Sequence, residues 1–295
     1  MSLNHRRWTP RVPRRGLAIV LVGAAATASV GASATAALAS ISANWAGYAV
    51  AGARRSVSSA PRVKFRSVAG SWVQPSATCT SGSSSYAAFW VGLGGFRSRA
   101  GLEQVGTEAD CNASGGTVFS GWYELIPAPP VRLTLTIRPG DAVSASVTVR
   151  RRHVTVALSD ATTGASFTKT VRLASPDVSS AEWIVEAPSA CDRFGNCSAL
   201  PLANFGTVNF TGALATANGH TGAISDPLWA ATPIELHYQQ SRFGRPQFSI
   251  PVTAANAIPA ALTAAGAAFS VSWQQQTAPP TSSQPPTVLP GAGPR

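Results

Sequence analysis

Short runs in which apolar and polar residues alternate are the feature that most restricts how this chain can fold. Residues 142–149 and 154–158 alternate clearly, and residues 131–137 do so before a Pro-Gly-Asp turn at 139–141. Alternation with a period of two places the apolar side chains on one face of a β-strand. Only 12% of the residues are charged, which argues against the Glu, Lys and Leu spacing of long amphipathic helices. Many such strands at close spacing predict an all-β sandwich or barrel.

Two other segments leave their local structure open. The Ala-rich residues 253–268 are compatible with a short helix, whose length Pro259 would limit. Residues 150–153 read Arg-Arg-Arg-His and lie between two alternating strands. This charged run could bind an anion or form a solvated hairpin turn. We favour the turn, because runs of charge usually face water.

The N-terminal residues have the organisation of a secretory signal peptide. Five arginines precede an apolar, Ala-rich run from Gly16 to about Val30, and small residues then lead to Ala39. A transmembrane anchor is the alternative, but the apolar run is shorter than the ~20 residues that a membrane span needs. Cleavage after Ala39 removes five Arg and no acidic residue, so the formal net charge falls from +11 to +6. Nucleic-acid binding therefore loses much of its support.

These features divide the chain into three predicted parts. Residues 1–39 form a signal peptide, residues 40–275 a β-sandwich domain and residues 276–295 a Pro-rich disordered tail. We expect the mature protein to be secreted, extracellular and monomeric, with neither nucleic acid nor a membrane as a partner once the leader is removed.

Export makes disulfide bonds permissible for the four cysteines. Cys191 and Cys197 flank a short polar loop and form a natural local pair, which leaves Cys79 to pair with Cys111. A zinc site is the alternative, but the sequence has no C-x-x-C motif and its His residues are scattered. We therefore predict two disulfide bonds and no metal site.

The usual catalytic signatures G-x-S-x-G, H-E-x-x-H and G-x-x-x-x-G-K are absent, which directs attention to acids and amides beside aromatic residues. On a strand over 181–186, Glu182 and Glu186 share one face. They would lie about 13 Å apart, because each residue of a strand adds about 3.3 Å, and this is too far to share a proton. The plainest interpretation of such a Glu is a solvent-facing side chain on the polar side of an antiparallel sheet.

Two further segments place polar groups among apolar neighbours. Gln104 shares a strand face with Leu102 and Gly106, where its amide could orient a ligand or satisfy a neighbouring backbone group. Trp122 and Glu124 share another face, although aromatic residues in this setting are more often part of a core than a binding platform.

Taken together, these segments resemble the glutamic peptidases, the eqolisins of peptidase family G1. The resemblance covers about residues 40–226 and is carried by five segments in the order and near the spacing of that family. They are Asn44-Trp45-Ala46-Gly47, Trp90-Val91-Gly92, Leu102-Glu103-Gln104-Val105-Gly106, Trp122-Tyr123-Glu124 and Ala181-Glu182-Trp183-Ile184-Val185-Glu186.

The resemblance implies an antiparallel β-sandwich of two curved sheets, a concanavalin-like jelly roll. It also implies that Gln104 and Glu186 form the catalytic pair. Trp45, Trp90 and Trp122 fall where the family places aromatic residues of the cleft, and Glu124 where it places an acidic neighbour. Glu108 keeps an acid where the family has Asp, and completes the predicted substrate-binding set. Gly94 and Ser120 stand where the family commonly has Asp.

The function that the resemblance implies is a secreted, acid-active glutamic endopeptidase that hydrolyses polypeptide substrates without a cofactor. In this expectation Glu186 activates a water molecule, and the Gln104 amide stabilises the oxyanion. The alternative is a non-catalytic secreted β-sandwich module that binds polysaccharide or cell wall. A glycosidase would need two carboxyl groups about 5–9.5 Å apart, which Glu182 and Glu186 on a regular strand do not provide.

Overall fold

A computed structural model of the protein describes residues 38–52, 62–96, 98, 100–194, 197–237 and 255–276. The predicted leader up to residue 37 and the predicted tail from residue 277 lie outside the described residues. The first described strand begins at Ser40, and the last one ends at Gln275. No helix among the described residues is long and apolar enough to cross a membrane.

The described residues form eighteen β-strands and one short 3-10 turn, Ala264–Gly266. In chain order the strands are β1 (Ser40–Ser42), β2 (Trp45–Ala51), β3 (Phe65–Val73), β4 (Ala88–Gly94), β5 (Leu102–Cys111), β6 (Thr117–Leu125), β7 (Val131–Arg132), β8 (Ala142–Arg150), β9 (His153–Asp160), β10 (Ala165–Arg172), β11 (Ser180–Glu186), β12 (Ser189–Cys191), β13 (Cys197–Ala199), β14 (Thr207–Ala217), β15 (His220–Ala223), β16 (Ala230–Leu236), β17 (Ala255–Pro259) and β18 (Phe269–Gln275).

The long strand β14 connects two antiparallel layers. Its first residues, Thr207–Phe210, pair with β18 in a large sheet whose order is β18-β17-β16-β2-β11-β4-β5-β6-β7, which we call sheet A. From Thr211 onward β14 pairs with β3, and continues into a second sheet, sheet B, with the order β14-β3-β8-β9-β10. Strand β1 lies parallel to β16 at the edge of sheet A. The prediction of an all-β antiparallel sandwich is confirmed.

The central core lies between the two sheets and follows the alternation seen in the sequence. On β11, Trp183 and Val185 point into this core, while Ile184 belongs to a separate apolar cluster on the opposite face of sheet A. On sheet B, β8 and β9 contribute alternating buried residues and are joined by a turn at Arg151 and Arg152. The charged run therefore forms the predicted hairpin turn. Sheet A consequently has two buried faces, and the face away from the central core carries the candidate site.

Two predicted segments differ from the structure. Only Val131–Arg132 of the alternating run 131–137 forms a strand, because β6 pairs with β7 only at those two residues. Leu133 and Ile137 still bury their side chains in the core, so the alternation reflects burial without strand pairing beyond that point. The helix suggested for residues 253–268 is wrong. Ala255–Pro259 is a strand between β16 and β18, followed by the 3-10 turn.

Both predicted disulfide bonds are confirmed. Cys79 is bonded to Cys111 at the end of β5, and Cys191 is bonded to Cys197 across the small hairpin of β12 and β13. The first bond ties the end of β5 to the segment before β4. The second bond closes the loop that follows Glu186, and both disulfides therefore restrain chain that borders the candidate site.

Candidate active site

The pairing of β2, β11, β4, β5 and β6 arranges the predicted site residues in three cross-strand rows on one face of sheet A. One row contains Glu186 on β11 and Glu108 on β5, and the next contains Trp90 on β4 and Trp122 on β6. The third row runs through Glu182, Gly92, Gln104 and Glu124. Because side chains alternate along a strand, residues at even spacing in these rows project from the same face. The structure therefore brings the predicted residues onto a single surface.

Glu186 is the centre of a hydrogen-bond cluster at the end of β11. Its Oε1 accepts a hydrogen bond from Asn44 Nδ2 at 2.9 Å, and its Oε2 accepts one from Trp90 Nε1 at 2.9 Å. Burial raises the pKa of Glu186 to about 7. The N–H donors of Trp45, Trp90 and Asn44 oppose this rise, and the nearby charge of Glu124 adds to it. The result is a half-buried carboxyl group that can exchange a proton close to neutral pH.

Gln104 is 3% exposed and is held by an acidic neighbour. Its Nε2 donates a 2.7 Å hydrogen bond to Glu124 Oε2, and this acceptor determines which end of the amide carries the two N–H groups. Burial raises the pKa of Glu124, while the hydrogen bond from Gln104 lowers it. One N–H of the Gln104 amide therefore positions the side chain, and the second can serve another acceptor.

Gln104 and Glu186 occupy the same face but do not form a hydrogen bond with each other in the described structure. Two strand positions and four residues separate them in the register. On a flat sheet these steps place their Cα atoms roughly 16 Å apart. The row of Trp90 lies between them, and Glu124 connects them, since it accepts a hydrogen bond from Gln104 and raises the pKa of Glu186. The two side chains are therefore separated by the Trp90 row and linked through Glu124.

The predicted aromatic residues have different environments. Trp45 packs edge-on against Trp90, with ring centroids 5.0 Å apart. Trp90 is fully buried, and its indole binds Glu186, whereas Trp45 is half-buried. Trp122 is 8% exposed. Gly106 lies between the two tryptophans in the register, and a Cβ there would come within 2.6 Å of Trp90 Cβ, so the position requires glycine.

Acidic residues continue beyond Gln104 along β5. Glu108 is half-buried and accepts a short hydrogen bond from the Ser120 hydroxyl. Burial, together with the neighbouring charge of Glu108, raises the pKa of Asp110 to about 7. Sequence analysis did not select Asp110, Ser120 or Asn44 as site residues. Asp110, like Glu108, lies an even number of residues from Gln104, and Asn44 stands in one of the quoted segments, so both could have been found.

A second group of acids is buried where β4, β5 and β11 meet the segment before β11. Glu182 is fully buried, so its interpretation as a solvent-facing Glu is wrong. The register explains this, because β11 is an interior strand flanked by β2 and β4. Burial raises the pKa of Glu182 well above its usual range, and raises that of Glu103 to about 8. Glu103 Oε1 accepts a 3.1 Å hydrogen bond from the backbone N–H of Asp177.

No group of three or more His, Cys, Asp or Glu side chains within the described part of the chain could hold a metal ion. Two surface cavities, of about 390 and 240 Å³, lie along sheet B and the segment before it, and no residue of the candidate site lines either of them. The chemistry of the site is therefore best considered from the protein side chains around Glu186.

Comparison with known proteins identifies the family of the chain. A profile of the Peptidase A4 family matches residues 43–250. Aspergillopepsin-2 of Aspergillus niger is 30% identical over 211 residues, which cover 63% of this chain and 68% of that protein. The chain has the fold of two solved structures, scytalidoglutamic peptidase with a peptide-based transition-state analogue and SCP-B, an eqolisin with a bound tripeptide.

The TM-scores for these two structures are 0.59 and 0.56, and the identities are 23% and 22%. Each match covers 78% of this chain and 98% of the solved one. At these identities the two structures bear on the fold alone, whereas the profile spans most of the chain. The chain therefore belongs to the Peptidase A4 family, the eqolisins, and is a glutamic endopeptidase that hydrolyses peptide bonds.

Proposed function

We propose that this protein is a secreted, acid-active endopeptidase in which Glu186 and Gln104 activate a water molecule without a metal ion. The observation that carries the proposal is a half-buried carboxyl group whose two oxygens accept N–H hydrogen bonds, on the same sheet face as an oriented glutamine amide. A carboxyl group with a pKa of about 7 is suited to general acid–base catalysis, because it can both take and return a proton.

In the proposed mechanism ionised Glu186 removes a proton from a water molecule as the water oxygen attacks the carbonyl carbon of the scissile peptide bond. The free N–H of Gln104 donates a hydrogen bond to the oxyanion that develops on the carbonyl oxygen. Protonated Glu186 then gives its proton to the leaving amine as the C–N bond breaks. The carboxylate is regenerated, and no covalent intermediate with the enzyme is required.

Glu124 has a supporting part in this proposal. It accepts the hydrogen bond that orients Gln104, and its charge raises the pKa of Glu186. A raised pKa makes Glu186 a stronger base when ionised, and also a donor for the leaving amine near neutral pH. Glu124 therefore links the two halves of the proposed catalytic pair.

The pH dependence of kcat/KM tests the proposed function. Because Glu186 acts first as a base, activity should fall about tenfold for each pH unit below about 7. Above neutral pH, ionisation of buried Glu103 and Glu182 should reduce the folded fraction. The maximum is therefore expected near neutral pH, with measurable activity extending into the weakly acidic range, in assays of an unfolded protein substrate from about pH 3 to about pH 9.

EDTA should leave this activity unchanged, and a loss of activity in EDTA would instead indicate a metal enzyme. A maximum of kcat/KM several pH units below neutrality would show that ionisation of Glu186 in the substrate-free enzyme does not cause the loss of activity at low pH. The absence of cleavage at every pH, with binding to polysaccharide retained, would favour the non-catalytic wall-binding module over a peptidase.

Secretion is the second part of the proposal, and the predicted leader and the two disulfide bonds support it. When the full chain is expressed in an exporting host, we expect the protein in the medium to begin at Ser40. Intact mass and N-terminal sequencing of that protein measure this directly. Retention in the membrane fraction with the leader still attached would contradict the proposal and favour an anchor.

A further inference from the structure

The residues just before β2 hold the carboxyl group of Glu186 through a defined set of hydrogen bonds. Asn44 Nδ2 donates to Glu186 Oε1 at 2.9 Å, across 142 positions in the sequence. The backbone also connects the two residues, because the N–H of Ala187 donates to the carbonyl oxygen of Asn44 at 2.8 Å. Asn44 is therefore fixed beside the end of β11 through both its side chain and its backbone.

The orientation of the Asn44 amide depends on Ser42. The Ser42 hydroxyl oxygen accepts hydrogen bonds from the backbone N–H groups of Asn44 at 3.3 Å and Trp45 at 3.0 Å. The single hydroxyl proton is then free to donate to Asn44 Oδ1, 3.3 Å away. With Oδ1 occupied by this donor, Nδ2 is the end of the amide that faces Glu186. Ser42 therefore determines that Glu186 meets a donor and not a second acceptor.

Strand β1 holds Ser42 in place. Ser40–Ser42 pairs in parallel with Ile234–Leu236 of β16, and the backbone N–H of His237 donates to the Ser42 carbonyl at 3.0 Å. The hydroxyl is part of a fixed strand end at the edge of sheet A. These contacts connect the start of the predicted mature chain to the proposed catalytic carboxyl group.

Few charged groups near Glu186 affect its ionisation. Strands β1, β2 and β4 carry no charged residue, and Tyr48 of β2 donates to the Ala260 carbonyl. On β5, Glu108 lies in the same row as Glu186 but beyond Ala88, and on β6 Glu124 raises its pKa. On β16, Glu235 and His237 pair with each other. The donors from Asn44, Trp45 and Trp90 are therefore the main groups that favour the ionised form.

We propose that Ser42 and Asn44 are positioning residues for the peptidase reaction, in which the Ser42 hydroxyl orients the Asn44 amide and the amide holds Glu186 as an ionised, correctly aimed base. This inference rests on the proposed function of Glu186. It makes the first residues of the predicted mature chain part of the catalytic apparatus, although neither side chain needs to contact the substrate. The anchoring of β1 against β16 then matters for catalysis as well as for folding.

The test compares Ser42→Ala and Asn44→Asp with the wild-type chain, with Ser42→Thr as the conservative variant and Ser40→Ala as a control on the same strand. In Ser42→Ala the Asn44 amide is no longer held with Nδ2 towards Glu186, so the carboxyl group loses an N–H donor. This loss disfavours the ionised form of Glu186, and the acid limb of the kcat/KM profile should move to higher pH by about one pH unit. Asn44→Asp should move it further, because an acidic oxygen then faces Glu186. Ser42→Thr should restore the wild-type limb, and KM should change little in all variants.

A second measurement does not depend on activity. The side-chain carboxyl resonance of Glu186, assigned by its disappearance in Glu186→Gln, can be titrated by ¹³C NMR in each variant. An upward shift in Ser42→Ala and Asn44→Asp, with Ser40→Ala unchanged and similar melting temperatures, is the expected result. Unmoved titrations in both variants would overturn the inference. Full activity in Glu186→Gln, with the shifts still present, would defeat the catalytic proposal but leave this contact established.

Discussion

Replacing Glu186 by Gln is expected to lower kcat/KM by about 10³- to 10⁴-fold across the active pH range. Gln has nearly the same shape but cannot accept a proton from water or return one to the leaving amine. One end of the Gln amide is an N–H donor, and it would face either the Asn44 donor or the Trp90 donor. One of the two hydrogen bonds that the carboxylate accepts is therefore lost. Steady-state cleavage of an unfolded protein substrate measures the effect.

Glu235→Gln is the matched control, since Glu235 lies on β16, pairs with His237 and has no part in the proposed chemistry. It should retain wild-type kcat/KM. Gln104→Ala, which removes the proposed oxyanion donor, should reduce kcat by about 10²- to 10³-fold and leave the pH profile in place. Activity that persists in Glu186→Gln at a folded fraction equal to wild type would end the proposed mechanism.

Replacing Glu182 by Gln is expected to make the protein more stable than wild type above neutral pH. Glu182 is fully buried, and the described structure places no ion-pair partner on Glu182, Glu103 or Asp177. The pKa of Glu182 in the folded protein is raised well above its usual range, so the folded state holds the proton that the unfolded chain releases. The contribution of Glu182 to the unfolding free energy is fully present below the pKa that it has in the unfolded chain. This contribution is lost as the pH rises towards the higher pKa that Glu182 has in the folded protein.

The expected slope is about 1.4 kcal/mol of unfolding free energy for each pH unit and each such group. For Glu103 the window runs from its usual value of 4.5 to about 8. Gln has no proton to lose, so the unfolding free energy of Glu182→Gln should fall less steeply with pH than that of wild type. The variant therefore becomes more stable than wild type as the pH rises. Urea unfolding at about pH 5 and about pH 8 measures the difference.

Ser40→Ala serves as the control, because it removes no ionisable group and should leave the slope over this range unchanged. If Glu182→Gln and wild type lost stability equally between the two pH values, the carboxyl group would already be ionised in the folded protein at low pH. The same loss of stability is expected to limit the proposed activity above neutral pH.

Local patterns predicted much of the architecture. The alternation over 142–149 and 154–158 gave β8, β9 and the hairpin between them, since the period of two directly reports which side chains are buried. It failed over 131–137, where the side chains are buried as expected but no partner strand continues beyond Arg132. It also failed at 255–259, because the strand there is defined by its neighbours β16 and β18 and not by its own Ala-rich composition.

The candidate site was only partly predictable. The resemblance selected Gln104 and Glu186, and the alternation placed Glu182 and Glu186 on one face. The partners of these residues come from distant parts of the chain, such as Asn44 for Glu186 and Asp177 for Glu103. A pattern within one strand contains no information about which other strand lies beside it, so these contacts could not be read from the segments themselves.

The sequence by itself determined the all-β class, the pairing of the cysteines and the face on which each Glu of β11 projects, because these depend on spacing along the chain. Only the tertiary structure decided that Glu182 is fully buried while Glu186 is half-buried and accepts N–H hydrogen bonds from Asn44 and Trp90. The physical reason is that burial and hydrogen bonding, which set the pKa of each carboxyl group, depend on which strands lie beside it in the sheet.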